Sequence, residues 1–332
     1  MIKGASVNMP TKKIGWVECL RALLIFYIAF HHFTSRYMDF YPEAEFSITS
    51  EIGGIVGNFM FMMISGYFLA KTLLRGYGFK DIFKYCIDRW WRLFPAILIC
   101  TTITYIIVCL SPLDARSVSF TQFLGNLFII HPSIPYVDGS HWFAAALLQM
   151  QLLLSVLLLI RNERNRVYCI VGLSVFSLCL HLIFDIPDTR LDNILYYLTY
   201  SSWLPVLLSG SILYYVRSNV LSTKFVLIPI IMVVLHLIKF NNWILIIPFC
   251  FFVLFISGKM KINCPIWLAK WGGVSLYWYL LHQNIGFCIM NELRAFGVSS
   301  EALLVSFAMI GTISLAFGVK HILKFIPTKL IK

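Results

Sequence analysis

The chain has 332 residues, 59% of them hydrophobic and only 13% charged, about half the ~25% charged share of soluble domains. It nevertheless carries 27 Lys and Arg against 15 Asp and Glu, a formal net charge of +12. This balance excludes a disordered chain, which needs low hydrophobicity. It also excludes a soluble basic protein that binds nucleic acid, because the basic residues form no exposed recognition module. What remains is an all-α polytopic membrane protein whose charge gathers at one membrane face.

A spanning helix takes about 20 mostly apolar residues. Ten stretches meet or approach that length: Trp16–Phe33, Ile52–Leu74, Trp91–Leu110, Trp142–Ile160, Tyr168–Phe184, Tyr196–Tyr215, Phe225–Ile238, Trp243–Ser257, Val274–Met290 and Leu303–Ile322. The seventh and eighth are short and are separated only by Lys239, Phe240, Asn241 and Asn242, which suits a tight helical hairpin. Phe120–Ile130 is apolar but too short to span, and is expected in the interface or folded back into the protein. The first span runs into His31, His32 and an acidic stretch with no small-residue cleavage site, so it is expected to stay in the mature protein.

Orientation follows from the connections. With the N-terminus in the cytoplasm, 21 of the 27 basic residues fall on cytoplasmic connections and five (Arg36, Arg116, Arg190, Lys239 and Arg294) on the opposite ones, with Arg21 inside a span. Acidic residues reverse the pattern, 11 outside and three inside. Ten spans with both termini cytoplasmic are therefore expected. The chain shows no internal repeat and no dividing linker, so residues 1–332 read as one membrane domain without a soluble extracytoplasmic domain. The nine cysteines form no C-x-x-C pair, and six of them (Cys100, Cys109, Cys169, Cys179, Cys250 and Cys288) sit in apolar runs. They read as small buried hydrophobes rather than a disulfide framework.

Ionisable residues inside a membrane are costly and mark function. Arg21 and His32 in the first span are eleven residues apart, which returns the helix to within about 20° of the same face with a rise of about 16 Å. Arg21 pairing with Glu18, one turn earlier, is as good a reading of that pair as a functional one. His31 points elsewhere. At the start of the third span, Arg89-Trp90-Trp91-Arg92 sets two arginines three apart, suited to bidentate phosphate contact; anchoring by charge and aromatic belt explains the same residues.

Asp138, Gly139, Ser140, His141 and Trp142 lead into the fourth span, where His141 and Trp142 could line a sugar entrance and Asp138 or Ser140 could cap the helix. His282, Gln283 and Asn284 lie within the ninth span, where a histidine satisfied by a carbonyl is the plain alternative. Ser65 and Gly66 share the second span, with Gly66 favouring close helix approach. His131, His181, His236 and His321 are isolated and read as structural.

At these residues the chain resembles the acyltransferase-3 family of integral membrane acyltransferases, from Trp16 to about Phe317. The matching features are Glu18-Cys19-Leu20-Arg21-Ala22, His32 eleven residues after Arg21, Phe61 through Leu69, and Arg89-x-x-Arg92 followed by Phe94-Pro95. Asp138-Gly139, His141-Trp142-Phe143, Leu208-Ser209-Gly210 and Tyr279-Leu280-Leu281-His282 complete the set. Glu18 replaces the commoner aspartate, and Gln149 stands where many members carry glutamate.

The resemblance implies transfer of an acyl group, usually acetyl, from cytoplasmic acetyl-CoA or another acyl-CoA. The implied acceptor is a sugar hydroxyl on an envelope or capsular polysaccharide or its lipid-linked precursor, with membrane lipid around the protein. Some relatives end in an extracytoplasmic hydrolase-like domain; here the acceptor is expected to be handled by the membrane domain itself. Arg21, Arg89, Arg92 and Ser65 are then candidate donor-binding residues, and His141 and Trp142 candidate acceptor-binding residues. His32 becomes the candidate general base, direct transfer being favoured over an acyl-histidine relay. His282 and Asp138 are candidate catalytic partners that would orient His32 or bind acceptor. No metal and no nucleic acid is expected, and the bacterial cytoplasmic membrane is the expected location. A transporter or flippase of lipid-linked glycan is the main rival, but it would carry inverted repeats and broken helices. A glycan polymerase would carry larger outer loops than Ser111–His141.

Overall fold

A computed structural model of the chain describes residues 15–50, 53–111, 113, 119–128, 137–183, 203–240, 243–256 and 264–325. These residues are mainly helical: α1 (Gly15–His31), a π-helical turn (His32–Arg36), α2 (Tyr37–Phe40), α3 (Gly53–Arg75), α4 (Phe79–Leu110), α5 (Phe120–Phe128) and α6 (His141–Ser155) with a 3-10 turn (Val156–Leu159). There follow α7 (Glu163–Ile183), α8 (Trp203–Arg217), α9 (Leu227–Phe240), α10 (Ile246–Ile256), α11 (Ile266–Gly272), α12 (Ser275–Ala295) and α13 (Glu301–Leu323).

Each predicted span coincides with one of these helices, the sixth through its described part from Trp203 onward. Among the described residues five segments are long and apolar enough to cross a membrane: Gly15–Phe40, Gly53–Leu74, Phe79–Leu110, His141–Leu159 and Glu301–Leu323. The end of Phe120–Ile130, the residues Asn241 and Asn242, and His131 lie outside the described residues.

The centre of the bundle is the pair α3 and α8. Their contact depends on glycine at both faces: a Cβ on Gly66 would collide with the Leu207 carbonyl, and one on Gly210 with the Met63 carbonyl. Close backbone approach of this kind replaces the hydrophobic drive that lipid removes, and Ser211 Oγ uses it to donate to the Gly66 carbonyl at 2.8 Å. α1 lies against α3 and α11, and α12 lies against α13, α4 and α1. Trp278 Nε1 donates to Thr312 Oγ1 at 2.9 Å across the α12–α13 seam.

Two features depart from the sequence reading. Cys19 of α1 and Cys264, just before α11, form a disulfide across 245 residues of chain, so two of the nine cysteines are a single staple; the other seven are free. α4 begins at Phe79, twelve residues before the predicted start, and runs for 32 residues. The apolar stretch after α4 forms α5, which packs on α4, with the Phe123 and Tyr105 rings stacked at 4.7 Å, while Phe120 and Leu124 stay exposed. Asn126 of α5 then accepts the backbone N–H of Val137 at 2.7 Å, holding the chain just before α6 inside the protein.

Candidate active site

Two levels of polar side chains lie along α1. The first is built on its C-terminal end, where five residues from His32 to Arg36 are π-helical. Such turns cost helical hydrogen bonding and recur at functional sites. This one is held from several sides. His31 Nδ1 donates to the Ser50 carbonyl, Thr34 Oγ1 donates to the Phe30 carbonyl at 2.7 Å, and the Phe33 ring fills the space that a side chain at Gly286 would need. His32 meets His282 of α12 edge to face, with ring centroids 4.9 Å apart; His31 lies 5.2 Å away on another side.

His282 is fully buried. Its Nδ1 lies 2.8 Å from the Tyr279 carbonyl, and because a carbonyl only accepts, Nδ1 carries the proton and Nε2 the lone pair. That Nε2 is buried without a hydrogen-bond partner. The carbonyl reading of His282 from sequence is therefore correct for one nitrogen and leaves the other available for chemistry.

The segment before α6 docks on the same turn of α12. Asp138 Oδ1 accepts the Ser140 N–H at 2.9 Å and Oδ2 accepts the Asn284 N–H at 3.0 Å. His141 Nε2 donates to the Leu280 carbonyl at 3.1 Å, Ser140 Oγ to the Tyr279 carbonyl at 3.0 Å, and the Tyr279 hydroxyl to the Ser140 carbonyl at 2.7 Å. The Asn284 side chain donates to the Val137 carbonyl. Leu280 C=O and Asn284 N–H are the i and i+4 groups of one helical turn, and the docked segment engages both. Asp138 thus serves as a buried acceptor for backbone donors, and its charge reaches both His141 and His282. Trp142 packs on Trp203 and on Phe143, each 5.8 Å between centroids.

The second level is at Arg21, half-buried and 3.8 Å from Glu18, a loose pairing that leaves its Nε without a hydrogen bond. Arg89 of α4 is close enough for its charge to act on Arg21. Arg89 in turn donates from Nε to the Tyr85 hydroxyl at 3.2 Å and lies 5.5 Å from that ring's centroid. Arg92 is exposed one turn further along α4. The charge of Arg89 therefore acts on Arg21, and Arg92 follows one turn beyond Arg89 on α4. The structure brings His32, His282, Asp138 and His141 together at the other level. Ser65 lies on α3 beside the Gly66 packing contact, half-buried.

Sequence reasoning gave no role to Tyr85, Tyr279 or Asn284. For Tyr85 the signal was its i, i+4 spacing to Arg89; Tyr279 and Asn284 stood in the singled-out ninth-span motif, but they act through contacts between segments distant in sequence.

A multi-pass helical membrane protein with a half-buried histidine set against a buried one, and with arginines near one end, is the class that this fold and site define. The chain belongs to the acyltransferase-3 family, whose model, described as an acyltransferase domain, matches residues 14–321, nearly the whole chain. No curated protein and no solved structure matches it. Family and fold together make it an acyltransferase-family membrane protein.

Proposed function

We propose that the protein transfers an acyl group, acetyl by preference, from cytosolic acyl-CoA to a sugar hydroxyl of an envelope or capsular glycan or its lipid-linked precursor, in a bacterial cytoplasmic membrane. The observation that carries this reading is the His32–His282 pair, with His32 set one pantetheine length, about 16 Å along α1, from Arg21, on which the charge of Arg89 acts. CoA is a polyanion on a long thin arm. Arg21, Arg89 and Arg92 suit its pyrophosphate, and the arm is long enough to bring the thioester to His32.

There the acceptor hydroxyl attacks the thioester carbonyl. His32 takes the hydroxyl proton as the C–O bond forms, the C–S bond breaks, and the CoA thiolate takes the proton on leaving. His282, locked with its proton on Nδ1, offers Nε2 to hold the acceptor hydroxyl or to share the charge that develops on His32. Asp138 acts at one remove, by fixing the turn of α12 that carries His282.

General-base catalysis contributes about 10²–10⁴-fold. His32→Ala in the full-length protein should therefore lower acetyl transfer, read as thiol release from acetyl-CoA in the presence of acceptor glycan, by at least about 100-fold, with unchanged expression and thermal stability. Normal glycan acylation by this variant would overturn the assignment.

A further inference from the structure

Beyond the arginines there is a cavity of about 340 Å³ lined by Lys71, Thr72, Gly76, Asp81, Lys84, Tyr85, Asp88 and Leu158. It lies where the end of α3, the start of α4 and the 3-10 turn after α6 meet. Its position is fixed by the backbone: Gly78 N–H donates to the Leu158 carbonyl at 2.9 Å, and Tyr77 N–H to Asp81 Oδ2 at 2.6 Å. Arg166 of α7, only 2% exposed, donates to the Gly76 carbonyl from beneath, and its Nε has no hydrogen-bond partner.

The lining alone is balanced, two lysines against two aspartates. Asp81 is engaged in holding the loop, and the buried guanidinium of Arg166 with Arg89 beside Tyr85 makes the surroundings positive. Tyr85, Arg89 and Arg92 follow at i, i+4 and i+7 on one face of α4, so Tyr85 of the cavity wall, which Arg89 touches, continues into the arginine stripe. From Lys84 to Arg92 the helix rises about 12 Å.

We propose that this cavity binds the 3′-phosphoadenosine end of the acyl-CoA donor, with Lys71 and Lys84 on the 3′-phosphate and the Tyr85 side as the wall for the adenosine. The assignment rests on the acyl-CoA reading above. The basic residues then divide between two phosphate groups. Lys71 and Lys84 take the phosphomonoester, while Arg89, Arg92 and Arg21 take the pyrophosphate. The volume falls within the ~300–1,000 Å³ of small-ligand sites, and Asp88 at the rim suits the adenine amino group as an acceptor. A lipid headgroup phosphomonoester shares the same chemistry, so the test separates the two sources.

The experiment measures binding of CoA and of 3′-dephospho-CoA to the purified full-length protein, wild type and Lys71→Gln/Lys84→Gln, in nanodiscs with and without phosphatidic acid. Wild type should bind CoA about 10-fold more tightly than 3′-dephospho-CoA, the worth of one charge-assisted contact. The double variant should bind both equally, at the 3′-dephospho-CoA level, whatever the lipid. Equal binding of the two by wild type, or discrimination retained by the variant, overturns this assignment while leaving the acyl-CoA reading intact. Discrimination lost only when phosphatidic acid is present identifies a lipid site and also overturns it. Absence of any CoA binding by wild type would fail the acyl-CoA reading itself.

Discussion

Asp138 and His32 look alike in the sequence, each an ionisable residue in an apolar setting, and the structure separates them. Both carboxylate oxygens of Asp138 accept backbone N–H groups, from Ser140 and from Asn284, so a neutral amide would put an NH₂ where a donor already points. Asp138→Asn should cost about 1–3 kcal/mol through one unpaired buried donor, read as a lower unfolding temperature of the detergent-solubilised protein. Activity should fall with the folded fraction. An unchanged melting temperature would show that the carboxylate is not needed to dock the Val137–His141 segment. The helical repeat made the shared face of Arg21 and His32 legible from the chain. It could not reveal that His282, 250 residues later, supplies the neighbouring ring, because periodicity fixes directions within one helix and not which helices touch. The burial of Arg166 was hidden for the same reason: counted by its loop it is one more orienting charge, and only the fold places it under Gly76.

Among the elements, α4 shows why hydropathy misplaced a boundary. Its first turns carry Asp81, Lys84, Asp88, Arg89 and Arg92 along one stripe, which lowers the local apolar average. Phe79, Phe83, Ile87 and Trp91 lie exposed on another. The helix is therefore continuous although its hydropathy is not, and the charged stripe that concealed it is the one that carries Arg89, whose charge acts on Arg21. The α3–α8 contact was partly readable, since Gly66 announces close approach, although not to which helix; the matching role of Gly210 emerges only in the fold. Replacing Gly66 by Leu sets a side chain against the Leu207 backbone, which cannot move aside as a side-chain tip could. The variant should lose at least about 1–3 kcal/mol, checked by thermal unfolding beside Gly172→Leu, whose glycine has open space around it. Equal stability of the two variants would refute the packing role of Gly66.

For the whole molecule, net charge, fold and chemistry depend on a single orientation. The positive connections alternate with the acidic ones along the chain, and the structure gathers part of each set at opposite ends: Gly76, Lys71, Lys84 and the turn at Leu158 at one, Arg294 with Glu43 and Ser47 with Glu301 at the other. Acyl-CoA is cytosolic, so the end bearing Lys71, Lys84 and Arg89 must face the cytosol for the proposed chemistry to work. The positive-inside rule assigns that same end to the cytosol from charge alone, so the same basic residues serve both the orientation and the donor reading. Tyr77 and Glu45 are both exposed and lie at the two ends. In intact cells an impermeant maleimide should label Glu45→Cys above the native background, and Tyr77→Cys only after permeabilisation. The reverse pattern would place the basic cavity outside the cell, away from any CoA, and would remove the donor reading together with the orientation.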